Sequence, residues 1–180
     1  MDRIDPLLNH NFIINLIDTS SALGMLGSAF SAIAPRVLDT PVGGFSECSG
    51  LEMAMQPEEY KEGGRNGNTL KFPSRVTWSN LTLKRGIANS TELWDWHYGF
   101  VTGEGTRRDG MITLLDEQRN TRCIWYFTRG LPIKYTGPTL NATQNSVAIE
   151  TIEIAHEGLY QVGGLGTISG AIGAIAGLVG

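Results

Sequence analysis

The sequence has only two cysteines and three histidines among its 180 residues, and that scarcity closes off several kinds of chemistry. His10, His97 and His156 fall in three separate segments, and no pair has the i, i+4 spacing of a metal site. His97 reads as a hydrogen-bonded packing residue on a helix, and His156 as the partner of a local charge-assisted contact with Glu157. There is no Gly-x-Ser-x-Gly nucleophile elbow and no cysteine-protease signature. The expectation is therefore no catalytic residue, no metal and no cofactor. Cys48 and Cys123 read as small core residues rather than a disulfide. The opening Met1-Asp2-Arg3-Ile4-Asp5 lacks the basic start and apolar run of a signal peptide, so synthesis in a reducing bacterial cytoplasm is expected.

Charge is also sparse. Charged residues make up 18% of the chain, against about 25% in an average globular protein. The formal net charge is −4, and no basic stripe offers a footprint for nucleic acid, so no specific nucleic-acid binding is expected. The two basic pairs, Lys84-Arg85 and Arg107-Arg108, read first as solvated surface charge. Charge is missing altogether from residues 19–35 and 163–180, which are rich in small and apolar residues. In the second stretch Gly164-x-Gly166-x-x-x-Gly170 is only superficially a dinucleotide loop, because no βαβ unit surrounds it. Its small-xxx-small spacing also permits a membrane helix. The glycine content and the lack of a basic anchor favour docking on protein instead, with Leu165, Ile168, Ile172 and Ile175 at helical spacing.

Between these stretches the dominant signal is alternation. Residues 12–17, 44–55, 70–72, 76–84, 111–115, 123–128, 131–135 and 147–154 read as short strands, with Gly50 a bend and a phase shift near Asn80. One segment differs. From Ser90 to Val101, Leu93, Trp96, His97 and Phe100 recur at helical spacing, with Trp94, Tyr98 and Val101 widening the stripe. Asn89 is the expected N-cap and Gly103 the expected stop. Trp78, Trp94, Trp96 and Trp125 are expected in the core. The fold class is mainly β: an antiparallel barrel or sandwich with one packed α-helix.

Particular stretches then resemble a known family. Gly44-Phe45-Ser46-Glu47-Cys48-Ser49-Gly50-Leu51-Glu52 resembles the "GFsevsGLe" opening of the phage tail tube family. That family includes the inner tubes of contractile tails and of extracellular contractile injection systems, and is related to type VI secretion tubes. The resemblance continues through Glu59-Tyr60-Lys61-Glu62-Gly63-Gly64 and Asn80-Leu81-Thr82-Leu83-Lys84-Arg85-Gly86. Leu93-Trp94-Asp95-Trp96, Arg107-Arg108-Asp109, Leu114-Leu115-Asp116-Glu117 and residues 148–159 follow in the same order.

The resemblance implies a tail-tube barrel over residues 1–160 and a non-enzymatic structural subunit. Six copies would form a ring, and rings would stack into a hollow conduit inside a contractile sheath. Partners would be further copies, the sheath, baseplate or spike proteins and cargo in the lumen. The assembled particle is a phage tail or an injection system. Glu59, Tyr60, Lys61, Glu62 and Gly63 fall in the turn that suits contacts between rings. Lys84 and Arg85 would pair with acidic residues, either across subunits or within the chain. The sequence departs from the family at an insertion, residues 18–44, and at a Gly-rich extension, residues 161–180. Leu23, Met25, Leu26 and Phe30 in the first, with the helically spaced apolar residues of the second, are expected to contact each other or another component. That departure raises the alternative of a specialised initiator or adapter ring at the baseplate end.

Overall fold

One strand organises the molecule. In the computed structural model, which describes residues 11–18, 44–61, 67, 69–87, 90–143 and 145–163, Thr121–Thr136 form a single 16-residue strand, β9. The sequence reads as two strands here because Arg129-Gly130 looks like a turn. The backbone instead bends without breaking. Arg129 takes a left-handed φ of 53°. A Cβ at Gly130 would lie 2.7 Å from the Arg108 carbonyl oxygen, so only glycine fits the bend.

The remaining strands in chain order are β1 (Phe12–Asp18), β2 (Phe45–Ser49), β3 (Met53–Met55), β4 (Glu58–Tyr60), β5 (Leu70–Phe72), β6 (Val76–Trp78), β7 (Leu81–Gly86), β8 (Arg108–Leu115), β10 (Ile149–Ala155) and β11 (Gly158–Gly163). Strand order is β1-β8-β9-β10-β7-β2, with β11 also on β9 and every pairing antiparallel. Strands β10 and β11 follow the same edge of β9 one after the other. Their register runs from Thr151↔Thr136 to Ala155↔Leu131, and then from Gly158↔Thr128 to Gly163↔Cys123. The gap at His156-Glu157 lies opposite the Arg129-Gly130 bend. Both partners therefore turn the same corner, and one sheet passes into the next. The end strands β1 and β2 approach each other, but no ladder joins them among the described residues, so the wall is barrel-like and not closed.

Strands β1, β7, β8, β9, β10 and β11 supply the core. Ile14, Leu81, Leu83, Ile112, Phe127, Ile152, Ile154 and Leu159 meet Leu93 and Trp96 of the single helix, α1 (Glu92–Thr102). The helix starts later than its pattern indicates. Thr91 is the N-cap, donating its hydroxyl to the Asp95 carboxylate at 2.6 Å, while Asn89 lies outside the described residues. Gly103 ends the helix with φ 82°, as its position indicates. The apolar stripe is narrower than expected. Leu93 and Trp96 face inward, whereas Trp94 sits about one-third of a turn away and is 49% exposed. Trp78 and Trp125 are half-buried against the core, so of the four tryptophans Trp94 corrects the core expectation. Both cysteines are free. Burial pushes the Cys48 thiol up to about 11, which keeps it protonated at neutral pH.

The basic pairs are not simply solvated. Arg85 is 2% exposed. Its Nε donates to Glu150 Oε1, and Tyr135 donates its hydroxyl to Glu150 Oε2 at 2.7 Å. Burial, together with the Glu150 carboxylate, pushes the Tyr135 phenol up to about 12. Arg108 lies over the Trp96 ring, 5.3 Å from its centre, and pairs with Glu92 at 3.3 Å. At the corner Glu157 accepts from Arg107 at 2.7 Å and Arg129 at 2.9 Å, which replaces the contact expected with His156. Buried Asp109 accepts the Arg129 N–H at 2.7 Å and the Tyr126 hydroxyl at 2.6 Å, so two groups hold the bend from one carboxylate.

Two outcomes follow for stability. Gly50 has φ +90°, and an added Cβ would fall 2.0 Å from the Asn80 carbonyl oxygen. Gly50→Ala is expected to cost about 3 kcal/mol in urea unfolding; an unchanged midpoint would contradict the packing. Glu150→Gln leaves Arg85 charged and buried, and is expected to cost about 3–5 kcal/mol. Arg85→Met with Glu150→Met removes both charges and should recover most of that loss in a double-mutant cycle.

Candidate assembly surface

Strands β2 and β7 do not end at the barrel. Beyond their ladder the chain continues as a two-stranded ribbon, in which β3 pairs with β6 and β4 with β5. The first break is at Gly50, where the Ser79 N–H donates to the Glu52 carbonyl at 3.3 Å and keeps the two chains together. The second is at Gln56-Pro57 and Pro73, where the register shifts by one residue between Met55↔Val76 and Glu58↔Phe72. Proline cannot donate to a ladder, so each Pro marks a place where pairing lapses.

Side chains directly opposite each other share a face. In the inner half Met53 opposes Trp78 and Met55 opposes Val76. In the outer half Tyr60 opposes Leu70, and Phe72 opposes Glu58. Trp78, at the root, packs against the core; the other apolar residues of this face are exposed. Met53 is 70% exposed and Phe72 50% exposed, and Met55, Tyr60, Leu70 and Val76 are exposed as well. The other face of the outer half is charged, with Glu59 3.8 Å from Lys71. Six exposed apolar side chains on a narrow ribbon make the kind of patch that marks an interaction surface.

The expected assembly residues divide accordingly. Glu59 and Tyr60 are in β4 rather than in a turn, and Lys61 follows them, exposed. Glu62 and Gly63 lie outside the described residues. Lys84 pairs with Glu47 at 2.9 Å within the chain and keeps 37% of its side chain exposed. Arg85 is committed to Glu150 inside the protomer and presents nothing to another subunit. Leu23, Met25, Leu26, Phe30, Leu165, Ile168, Ile172 and Ile175 all lie outside the described residues. Apart from Tyr60, the apolar members of the ribbon did not enter the expected set. Their signal was the alternation of Leu70 with Phe72, of Val76 with Trp78 and of Met53 with Met55, which gives strands but not their exposure.

A second apolar area lies on the helix. Trp94 stacks on Tyr98 with ring centres 5.8 Å apart and meets Tyr135 edge-on at 5.2 Å. Along α1 a concavity of about 610 Å³ is lined by Glu92, Asp95, Trp96, Glu104, Thr106 and Arg108. Glu92 is engaged by Arg108 and Asp95 by Thr91, and Trp96 Nε1 donates to the Thr106 carbonyl at 2.9 Å. Among the described residues no group of three or more His, Cys, Asp or Glu side chains is placed to hold a metal ion. No described helix is long and apolar enough to cross a membrane.

Comparison with known proteins is consistent with this architecture. No curated protein sequence matches the chain. A chain in the cryo-EM structure of the anti-feeding prophage baseplate, 6-fold symmetrised, superposes with a TM-score of 0.72 at 22% identity, over 89% of this chain and 98% of that one. A chain of the extended sheath–tube complex of the PVC extracellular contractile injection system gives 0.69 at 22% identity, over 88% and 93%. A chain of the anti-feeding prophage tube-terminating cap gives 0.68 at 20% identity, over 91% and 95%. These likenesses establish a shared fold. Residues 9–160 match the model of the family described as T4-like virus tail tube protein gp19, and the chain belongs to that tail tube family.

Proposed function

We propose that this protein is a structural subunit of the inner tube of a contractile, phage-tail-like injection system, with six copies closing a ring and rings stacking into a hollow conduit. The observation that carries this reading is the ribbon: an ordered pair of strands that leaves six large apolar side chains exposed. An isolated two-stranded ribbon is marginal in water, and each large apolar side chain brought out of solvent contributes roughly 1.5–3 kcal/mol. A neighbouring copy is the partner that a tail tube subunit always has. The outer edges of β1, β2 and β11 carry no ladder among the described residues. They supply backbone donors and acceptors for contacts that close the ring. Nothing in the arrangement requires catalysis, and the role is structural. A sheath around the tube, a baseplate or spike below it and cargo within it are the partners of this reading, which places the assembled protein in a tail or an injection particle.

A specialised initiator or adapter ring is the second reading. It is favoured by the insertion and the extension, both uncharged over long stretches, and it fits the presence of baseplate and cap chains among the similar folds.

Negative-stain electron microscopy with size-exclusion chromatography distinguishes these. Sixfold rings that stack into long tubes are expected; rings that stop at one or two layers would favour the initiator. Met55→Asp with Phe72→Asp should leave the circular dichroism spectrum and the barrel intact, and abolish stacking. A double variant that assembles like wild type would refute the role given to the ribbon.

A further inference from the structure

We propose that His156 pins the ribbon to the barrel and sets the angle at which it projects; the inference rests on the ribbon being an assembly element. His156 occupies the gap between β10 and β11, at the corner opposite the Arg129-Gly130 bend. Its ring lies between two aromatic groups, 6.1 Å from Trp78 of β6 and 6.2 Å from Phe127 of β9. Nδ1 is 3.1 Å from the Gly158 carbonyl oxygen and Nε2 is 3.1 Å from the Ser79 carbonyl oxygen.

These two contacts differ in kind. Gly158 is two residues away in the chain, so its approach is imposed by connectivity. Ser79 is 77 positions away and is brought opposite His156 by the β7–β10 ladder, whose last pair is Leu81↔Ile154. Both acceptors are carbonyls, and a neutral imidazole carries one N–H. Burial holds the His156 pKa below its ordinary value, against the two carbonyls that raise it, so the ring is neutral at neutral pH. A proton on Nε2 makes the Ser79 contact a hydrogen bond, and this is the tautomer that the proposal assigns.

Ser79 is the root of the ribbon. It stands between β6 and β7, its N–H bonds the Glu52 carbonyl, and its hydroxyl reaches Glu52 Oε2 at 3.4 Å. A tie at this point controls both ribbon strands at once. The other side-chain tie from this root to the corner strands, Asn80 Nδ2 to Glu153 Oε1 at 2.8 Å, is solvent-exposed and correspondingly weaker. The outer ribbon lies beyond this root, so a small change at the root moves its tip far.

Three substitutions at His156 separate the hydrogen bond from packing. Gln places an amide N–H near the position of Nε2, Asn near that of Nδ1, and Phe keeps the ring but donates nothing. Hydrogen exchange of the full chain, read by mass spectrometry, should find the amides of β3 and β6 equally protected in wild type and His156→Gln. In His156→Asn and His156→Phe they should exchange about tenfold faster, with β8 and β9 unchanged. Tube yield by negative stain should follow the same order. The proposal is overturned if Asn and Phe leave the ribbon as protected as wild type, or if they loosen ribbon and barrel alike. It is overturned equally if Gln is no better than Asn, or if tube yield ignores all three. Should Phe fail to fold, the Gln–Asn comparison decides alone. A wild type that forms no rings at all would sink the tube reading, while the exchange order would still report on the pin.

Discussion

The bend at Arg129-Gly130 is the constraint on which the rest of the molecule depends. Strand β9 pairs with β8 along one edge and with β10 and then β11 along the other, so its direction sets that of both sheets. An Arg held at positive φ is an unfavourable conformation, and the surroundings over-determine it. Asp109 takes the Arg129 N–H, Glu157 takes its guanidinium, and the bare Cα of Gly130 lets the Arg108 backbone approach. Phe127, immediately before the bend, is wholly buried at the centre of the core. Straightening β9 would withdraw Phe127 from Ile154 and Leu159 and separate the sheets.

From that corner outward, stabilisation becomes progressively less self-contained. The barrel buries its apolar residues against α1 and ties its polar ones in pairs, as with Arg85, Glu150 and Tyr135. The ribbon leaves most of its apolar side chains exposed. Its strands hold each other through backbone ladders, the Thr77 hydroxyl bond to the Ala54 carbonyl at 3.2 Å and the Glu59–Lys71 pair, yet its larger side chains face water. A chain that completes its core and still extends apolar surface into solvent is built for contact with other molecules. Membership of the tail tube family is why we propose another copy of the chain as that partner. His156 then joins the self-contained part to the part that needs a partner.

Much of this was legible in the sequence because it is local. Alternation gave the positions of most strands, and the 3.6-residue recurrence of Leu93, Trp96 and Phe100 with Gly103 beyond them gave the helix. What stayed hidden depends on partners distant along the chain. Arg85 looks like half of a surface pair until Glu150, 65 positions on, is found beside it. Arg129-Gly130 has the composition of a turn, and only Asp109 and the corner packing make it a bend within one strand. Glu58-Glu59-Tyr60 has little strand propensity, and becomes β4 because Leu70–Phe72 is there to pair with it. Trp94 was assigned inward because hydrophobicity marks a stripe without its width. Exposure of the ribbon's apolar face is the least legible feature, since a strand buried in its own core and one buried in a neighbour's have the same pattern.

The central claim is that this face is covered by another copy of the chain. Site-specific photo-crosslinking tests it most directly, with a benzophenone amino acid in place of Phe72 in the full chain under conditions that give rings. The account predicts covalent oligomers whose linked peptides join Phe72 of one copy to a different copy. Only monomers or linkages within one chain, in a sample where rings are visible, would contradict it.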